Sequence, residues 1–407
     1  ANFTGATMSG AFYSDGIKKV NLTGANFTNA NMSGMFGETH NIESINLTNV
    51  KTTGVTNMSS TFSYCSKLAS LDLSSFDTSK VTNMASMFVG SGLTALNLSN
   101  FDTSSVTNMG DMFASCNNLT DLNLSGFDFS KVTESIGGFT YTGKYNVKLN
   151  LSGANFTGQT SSLIRGVLLF VKEADLSGAN FTNANLYQMF AANNGLTTVD
   201  LSNAITTGVT DMGDMFVGCK NLKTVNLTNF NSKSNPGVYA IAGGATAVLS
   251  GVTPKSSVTN MESMFNQCPS LTELDLSDFD TSSATNMSMM FQLCTSLTNL
   301  DLGAFDTSNV TDMSYMFYGN SALTSINVSS FDTSNVTDMR HMFENSTGLT
   351  SLNLKSFDTS KVTGMDSMFA GNTKLTTITV GSKWKIGEST TTTDMFKDCG
   401  IDHVTVA

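Results

Sequence analysis

The chain has little charge of either sign. Only 13% of its 407 residues are charged, and the balance is acidic, with a net charge of −11. No basic patch exists to release counterions from phosphates, so nucleic acid is not an expected partner. The same deficit argues against electrostatic attachment to a membrane surface. No apolar run approaches the ~20 residues needed to cross a bilayer, and "LLFV" (Leu168 to Val171) is far too short, so membrane insertion is not expected either. The three histidines, His40, His341 and His403, are scattered, with His341 read as a surface residue. No nucleophile elbow or glycine-rich phosphate loop is present, so neither catalysis nor a cofactor is expected. The six cysteines form no C-x-x-C pair, which argues against a metal site. The opening "ANFTGATMSGAF" carries no signal-peptide pattern, so any targeting segment is expected to have been removed or to lie outside this sequence.

What the chain has instead is one sentence written many times. "FDTSNVTDMSYMF" (Phe305 to Phe317) returns as "FDTSNVTDMRHMF" (Phe331 to Phe343), and the period of about 26 residues runs through almost the whole sequence. In one clean copy, Leu93 to Phe113, the pair Leu96 and Leu98 alternates with Ala95, Asn97 and Ser99, the period of a half-buried strand. Val106, Met109, Met112 and Phe113 then fall at near-helical spacing, which predicts one or two helical turns, with Thr107 as the N-cap. No coil can bury this apolar set alone, but stacked coils supply each other's walls. The expected fold is therefore an α/β right-handed solenoid of about fifteen coils. It has one parallel β-sheet face and short helical turns opposite, in a rod roughly 70 Å long. Residues 1–407 form a single repeat domain on this reading. The chain starts and stops mid-coil, which predicts a fragment of a longer protein or end-to-end self-association.

Some segments depart from the rhythm. "VNLTGANFTNANMSGMF" (Val20 to Phe36) and "ADLSGANFTNANLYQMF" (Ala174 to Phe190) resemble pentapeptide repeats and are read as variant coils. Residues 138–173 are irregular, and "SSLIRGVLLFVKE" suggests a longer helix on the outer side. Residues 231–257 are an insertion in which strand-like residues flank Gly243-Gly244, a hairpin signal. Tyr239, Ile241, Gly243 and Gly244 of that hairpin are one candidate partner-binding element; a loop packed on the solenoid's flank is the alternative.

Three polar columns recur. The Asp of "FDTS", as in Asp77, Asp102 and Asp306, reads most simply as an Asx-turn; a calcium site would need six to eight oxygens around one ion. Cys65, Cys116, Cys219, Cys268, Cys294 and Cys399 all stand three residues after the Phe of "MF", where other coils place Ser or Asn. That column reads as a small residue closing the turn, with a Cys268–Cys294 disulfide between adjacent coils as the alternative. On the strand, Asp72, Asp175, Asp200, Asp275 and Asp301 alternate with Asn in a flat, small-polar face. It lacks the Trp, Tyr or Arg of strong protein hot spots, but these five are the sheet-face candidates for partner contact.

The unit "LTxLxLSxFDTSxVTNMxxMF" resembles the BspA-like branch of leucine-rich repeat proteins, of the kind repeated in mycoplasma lipoproteins. The resemblance covers nearly the whole chain and implies a leucine-rich-repeat-like solenoid. It further implies a secreted protein on the bacterial cell surface. Such a protein would act in adhesion, binding proteins of the extracellular matrix, of host cells or of neighbouring cells. It transfers no catalytic residues. A structural spacer projecting another domain from the cell wall is the alternative.

Overall fold

The computed structural model describes residues 1–14, 16–133, 147–231 and 256–407, together with the backbone of 239–241 and 245–247. The chain divides into two compact units, Ala1–Phe181 and Thr182–Ala407. Both are parallel β-solenoids, with about 14 turns between them.

In the first unit the strand segments are three to five residues long: β1 (Lys19–Asn21), β2 (Ser44–Asn46), β3 (Ala95–Asn97), β4 (Asp121–Asn123), β5 (Val147–Asn150) and β6 (Val171–Asp175). Register follows the repeat: Leu96 pairs with Leu122, Leu122 with Leu149, and Leu149 with Ala174, all in parallel. Alternation does the rest, burying Leu96 and Leu122 while Ala95 and Asn97 stay exposed. The second unit repeats the scheme in β7 (Thr198–Asp200), β8 (Thr224–Asn226), β11 (Asn299–Asp301), β12 (Ser325–Asn327), β13 (Ser351–Leu354), β14 (Thr377–Val380) and β15 (Thr405–Val406). Within the insertion, β9 (Tyr239–Ile241) and β10 (Ala245–Ala247) pair antiparallel.

Two coils expected to carry strands do not: residues 71–73 and 274–276 have no ladder, and Leu71 and Leu274 are only half-buried.

The segment expected to be helical is not. Along Met84 to Ser91 the amide donors alternate. Those of Met84, Ser86, Phe88 and Gly90 reach carbonyls of the next coil at 2.8–3.0 Å, while those of Met87, Val89 and Ser91 close turns onto carbonyls three residues back at 3.0–3.2 Å. A helix would point every donor along its own axis. Ser86 (φ 55°) and Gly90 (φ 66°) sit in the left-handed region, which no helix interior tolerates. The result is a ladder of consecutive turns. Thr107 caps no helix; its N–H and hydroxyl both donate to the Thr82 carbonyl of the preceding coil, at 2.9 and 3.3 Å.

The one α-helix among the described residues, α1 (Ser161–Leu168), replaces this ladder in the irregular stretch, with Thr160 as N-cap. It is shorter than the sequence suggested and buries one face, Leu163, Ile164, Val167 and Leu168.

The core is a set of side-chain ladders. Phe36, Phe62, Phe88 and Phe113 stack at 5.6–5.7 Å, and Phe265, Phe291 and Phe317 at 5.8–5.9 Å. Beside them runs the buried Thr of "FDTS". Thr333 donates its hydroxyl to the Asp358 carbonyl at 2.8 Å and accepts the Asp358 N–H at 2.8 Å; Thr103 does the same with Asp128. In the coils that carry it, one buried hydroxyl thus ties a coil to the next while both donating and accepting.

Candidate interaction surfaces

The sheet-face aspartates are spread along both units and are not gathered into one site. Each commits Oδ1 to its own turn, accepting the N–H two residues on: Asp72 from Ser74 at 2.9 Å, Asp175 from Ser177 at 2.9 Å, Asp200 from Ser202 at 2.8 Å, Asp275 from Ser277 at 3.0 Å and Asp301 from Gly303 at 2.9 Å. The backbone N–H of Ser74 and that of Ser277 hold the Asp72 and Asp275 carboxyls below their ordinary value. Asp72, Asp275 and Asp301 are exposed, and Asp175 and Asp200 half-buried. Tyr239, Ile241, Gly243 and Gly244 belong to the insertion, whose side chains lie outside the described residues, as do Gly243 and Gly244 altogether.

The "FDTS" column is a row of Asx-turns. Asp102 Oδ1 accepts the Ser104 N–H at 3.0 Å and its hydroxyl at 2.6 Å, and Asp77 and Asp306 repeat the arrangement. The serine hydroxyl lowers the carboxyl pKa of Asp77, Asp102 and Asp358. Among the described residues no three His, Cys, Asp or Glu side chains are grouped as a metal would require.

The cysteine column is a row of donors. Cys116, Cys219, Cys268 and Cys294 each donate Sγ–H to the Phe carbonyl of the preceding coil at 3.1–3.2 Å. Asn320, Ser346 and Asn372 do the same job at 2.6–2.9 Å. Of the two readings of this column, the turn-closing one describes Cys268 and Cys294: both are free, buried thiols engaged with the carbonyls of Phe216 and Phe265. Burial alone pushes the Cys65 thiol up to about 12, and it is the main cause of the same rise at Cys219 and Cys294.

The surface that sequence reasoning missed is the outer edge of the turn ladder. Two residues before the ladder Phe, and again two residues after it, the backbone turns left-handed, and apart from the buried Ser263 the side chains there are half-buried or exposed. In the second unit three consecutive coils hold Met289, Tyr315 and His341 here, where their neighbours hold Ser263 and Ser367, and Leu293 leans over Gly319 so closely that a Cβ there would meet it at 2.6 Å. Tyr315 stacks on His341 (4.3 Å between ring centroids, 16° apart) and lies tilted against Tyr318 at 5.7 Å. Glu344 hydrogen-bonds His341 Nδ1, and Arg340 pairs with Asp338. All three rings are half-buried. His341, read as a surface residue, is thus an ordered member of an aromatic patch. In the first unit the same positions hold Gly10, Gly34, Ser60 and Ser86, and they leave a groove.

Inward ladders, Asx-turned corners and variable outer positions define a repeat scaffold with no catalytic constellation among these columns. The chain belongs to the family described as "Mycoplasma protein of unknown function, DUF285", whose profile matches residues 30–152, 184–249, 251–325 and 321–401. A pentapeptide-repeat profile matches 18–35 and 171–193, over the two variant coils. Among curated proteins no match is found. Among solved structures the chain is similar to a leucine-rich repeat protein from Bacteroides ovatus, at 15% identity over 95% of this chain and 77% of that one, with a TM-score of 0.36. It is also similar to a leucine rich cell surface protein from Faecalibacterium prausnitzii, at 15% identity over 96% and 83%, with a TM-score of 0.30. Scores this low establish no common arrangement in space. No helix among the described residues is long and apolar enough to cross a membrane.

Proposed function

We propose that the protein is a non-enzymatic, protein-binding scaffold, acting as an adhesin on the outside of a bacterial cell. Its partners are proteins of the extracellular matrix or of host or neighbouring cells. The observation that carries this is the outer edge of the second unit. There a backbone already satisfied by ladder bonds presents Tyr315, Tyr318 and His341 together, beside Arg340. Tyrosine and arginine are the side chains that dominate protein hot spots, because they bring large contact area at small entropic cost. The BspA-like resemblance points the same way. The sheet-face aspartates and the Tyr239–Ala247 hairpin remain secondary contact surfaces on this reading. The coil is taken to be right-handed, the hand that parallel strand-to-strand crossovers adopt almost without exception.

The test is binding of the intact chain to a panel of purified matrix proteins and to whole cells. It is repeated with Tyr315→Ala and with residues 237–253 deleted. Tyr315→Ala is expected to weaken a captured partner by about tenfold or more. A chain that binds nothing on the panel or the cells is a spacer.

A further inference from the structure

The groove on the first unit has a chemistry of its own. It crosses five successive coils, with a volume of about 580 Å³, floored by Gly10, Gly34, Ser60 and Ser86. Tyr13 and Tyr64 line it and are 63% and 45% exposed, in a molecule whose other rings are largely interior. Tyr64 reaches over the next coil: a Cβ on Gly90 would meet its Cδ1 at 2.6 Å and Cε1 at 2.9 Å. The ring thus packs against glycine and still keeps 45% of its surface exposed. Tyr13 and Tyr64 stand two coils apart, a step of roughly 10 Å along the groove at the parallel stacking distance. Glu38 and Asp111, both exposed, are the charged groups of the lining, which contains no cationic side chain.

We infer that this groove binds a linear, uncharged or amino-bearing polysaccharide, with sugar faces on Tyr13 and Tyr64 and hydroxyls on the serines and on Glu38 and Asp111. An extended peptide would need free backbone groups to pair with. Here the amides of Gly34, Ser60 and Ser86 are already spent on Ser59, Ala85 and Gly110 at 2.8–2.9 Å. A protein side chain would need an apolar pocket, and besides the tyrosines the lining offers only Val89 and Ala114, on the two coils beyond Tyr64. What remains is flat aromatic surface, hydroxyls and carboxylates, and anionic glycans are repelled by the two acids. This inference concerns the first unit and does not depend on the protein-binding patch of the second.

The test is calorimetric titration of the full chain with cellohexaose, chitohexaose and laminarihexaose. Saturable binding of at least one is expected, weakened about tenfold or more by Tyr64→Ala and by Tyr13→Ala with melting temperatures unchanged. Both rings are exposed enough that their removal leaves the core intact. Binding of none of the three sugars overturns the inference, as does binding that both variants retain in full. Capture of a matrix protein that Tyr64→Ala abolishes, with no sugar bound, overturns it in favour of a protein groove.

Discussion

Ser86 in the first unit and Tyr315 in the second hold the same place in the repeat, two residues before the ladder Phe, with the same backbone at φ 55° and 58°. Around Ser86 the surface is a groove; around Tyr315 it is a filled aromatic patch. Nothing in the backbone explains the difference, because both coils spend the same amides on the same ladder. The difference lies wholly in side chains that the interior does not constrain. A repeat of this kind separates what holds the coil from what the coil displays, and the coils around Ser86 and around Tyr315 have used the outer positions differently.

The largest expected effect is one in which the units should not differ. Phe88→Ala and Phe291→Ala each remove a fully buried ring from a stacked ladder, and each should cost about 3–5 kcal/mol in denaturant unfolding. A large cost in one unit and a negligible one in the other would break the equivalence of their interiors.

A smaller effect probes the corners. Hydrogen bonds from Ser104 hold the Asp102 carboxyl below its ordinary value, against the opposing charge of Asp77, as Ser360 does for Asp358 beside Lys383. A depressed folded value stabilises the protein fully above the unfolded value of about 3.9 and loses that contribution as pH falls through the folded one. Asp102→Asn keeps an acceptor for the Ser104 N–H but cannot titrate. Below pH of about 4 its melting temperature should therefore fall less steeply than that of the parent chain. Parallel curves would show that the corner carboxylates carry no part of the acid response.

Much of this was legible in the sequence. The inward Leu, Met and Phe columns announce themselves by period, and "FDTS" reads as a turn because Asp is followed two residues on by a hydroxyl. The turn ladder was misread because Val106, Met109, Met112 and Phe113 satisfy a helical period and a ladder of turns equally well. The discriminating signal was polar and easily passed over: Gly10, Gly34, Gly90, Gly319 and Gly371 recur at outer positions where only a left-handed residue fits. Taking the segment for a helix hid its edge, so His341 read as a surface residue and neither Tyr315 nor Tyr64 stood out. Only stacking brings Tyr315 against His341, which lies 26 residues away in sequence. The sheet-face aspartates stood out sooner because they repeat, yet repetition marked them as turn formers.

An exchange of outer residues tests the separation of display from support most directly. Ser86→Tyr and Tyr315→Ser are measured together for melting temperature and for binding. The account predicts melting temperatures close to the parent's in both, since tyrosine and serine already occupy this backbone in the other unit. It also predicts hexasaccharide binding lost from the first variant alone, and matrix-protein binding lost from the second alone. Cooperative unfolding of either variant well below the parent's temperature, or binding unchanged in both, would contradict it.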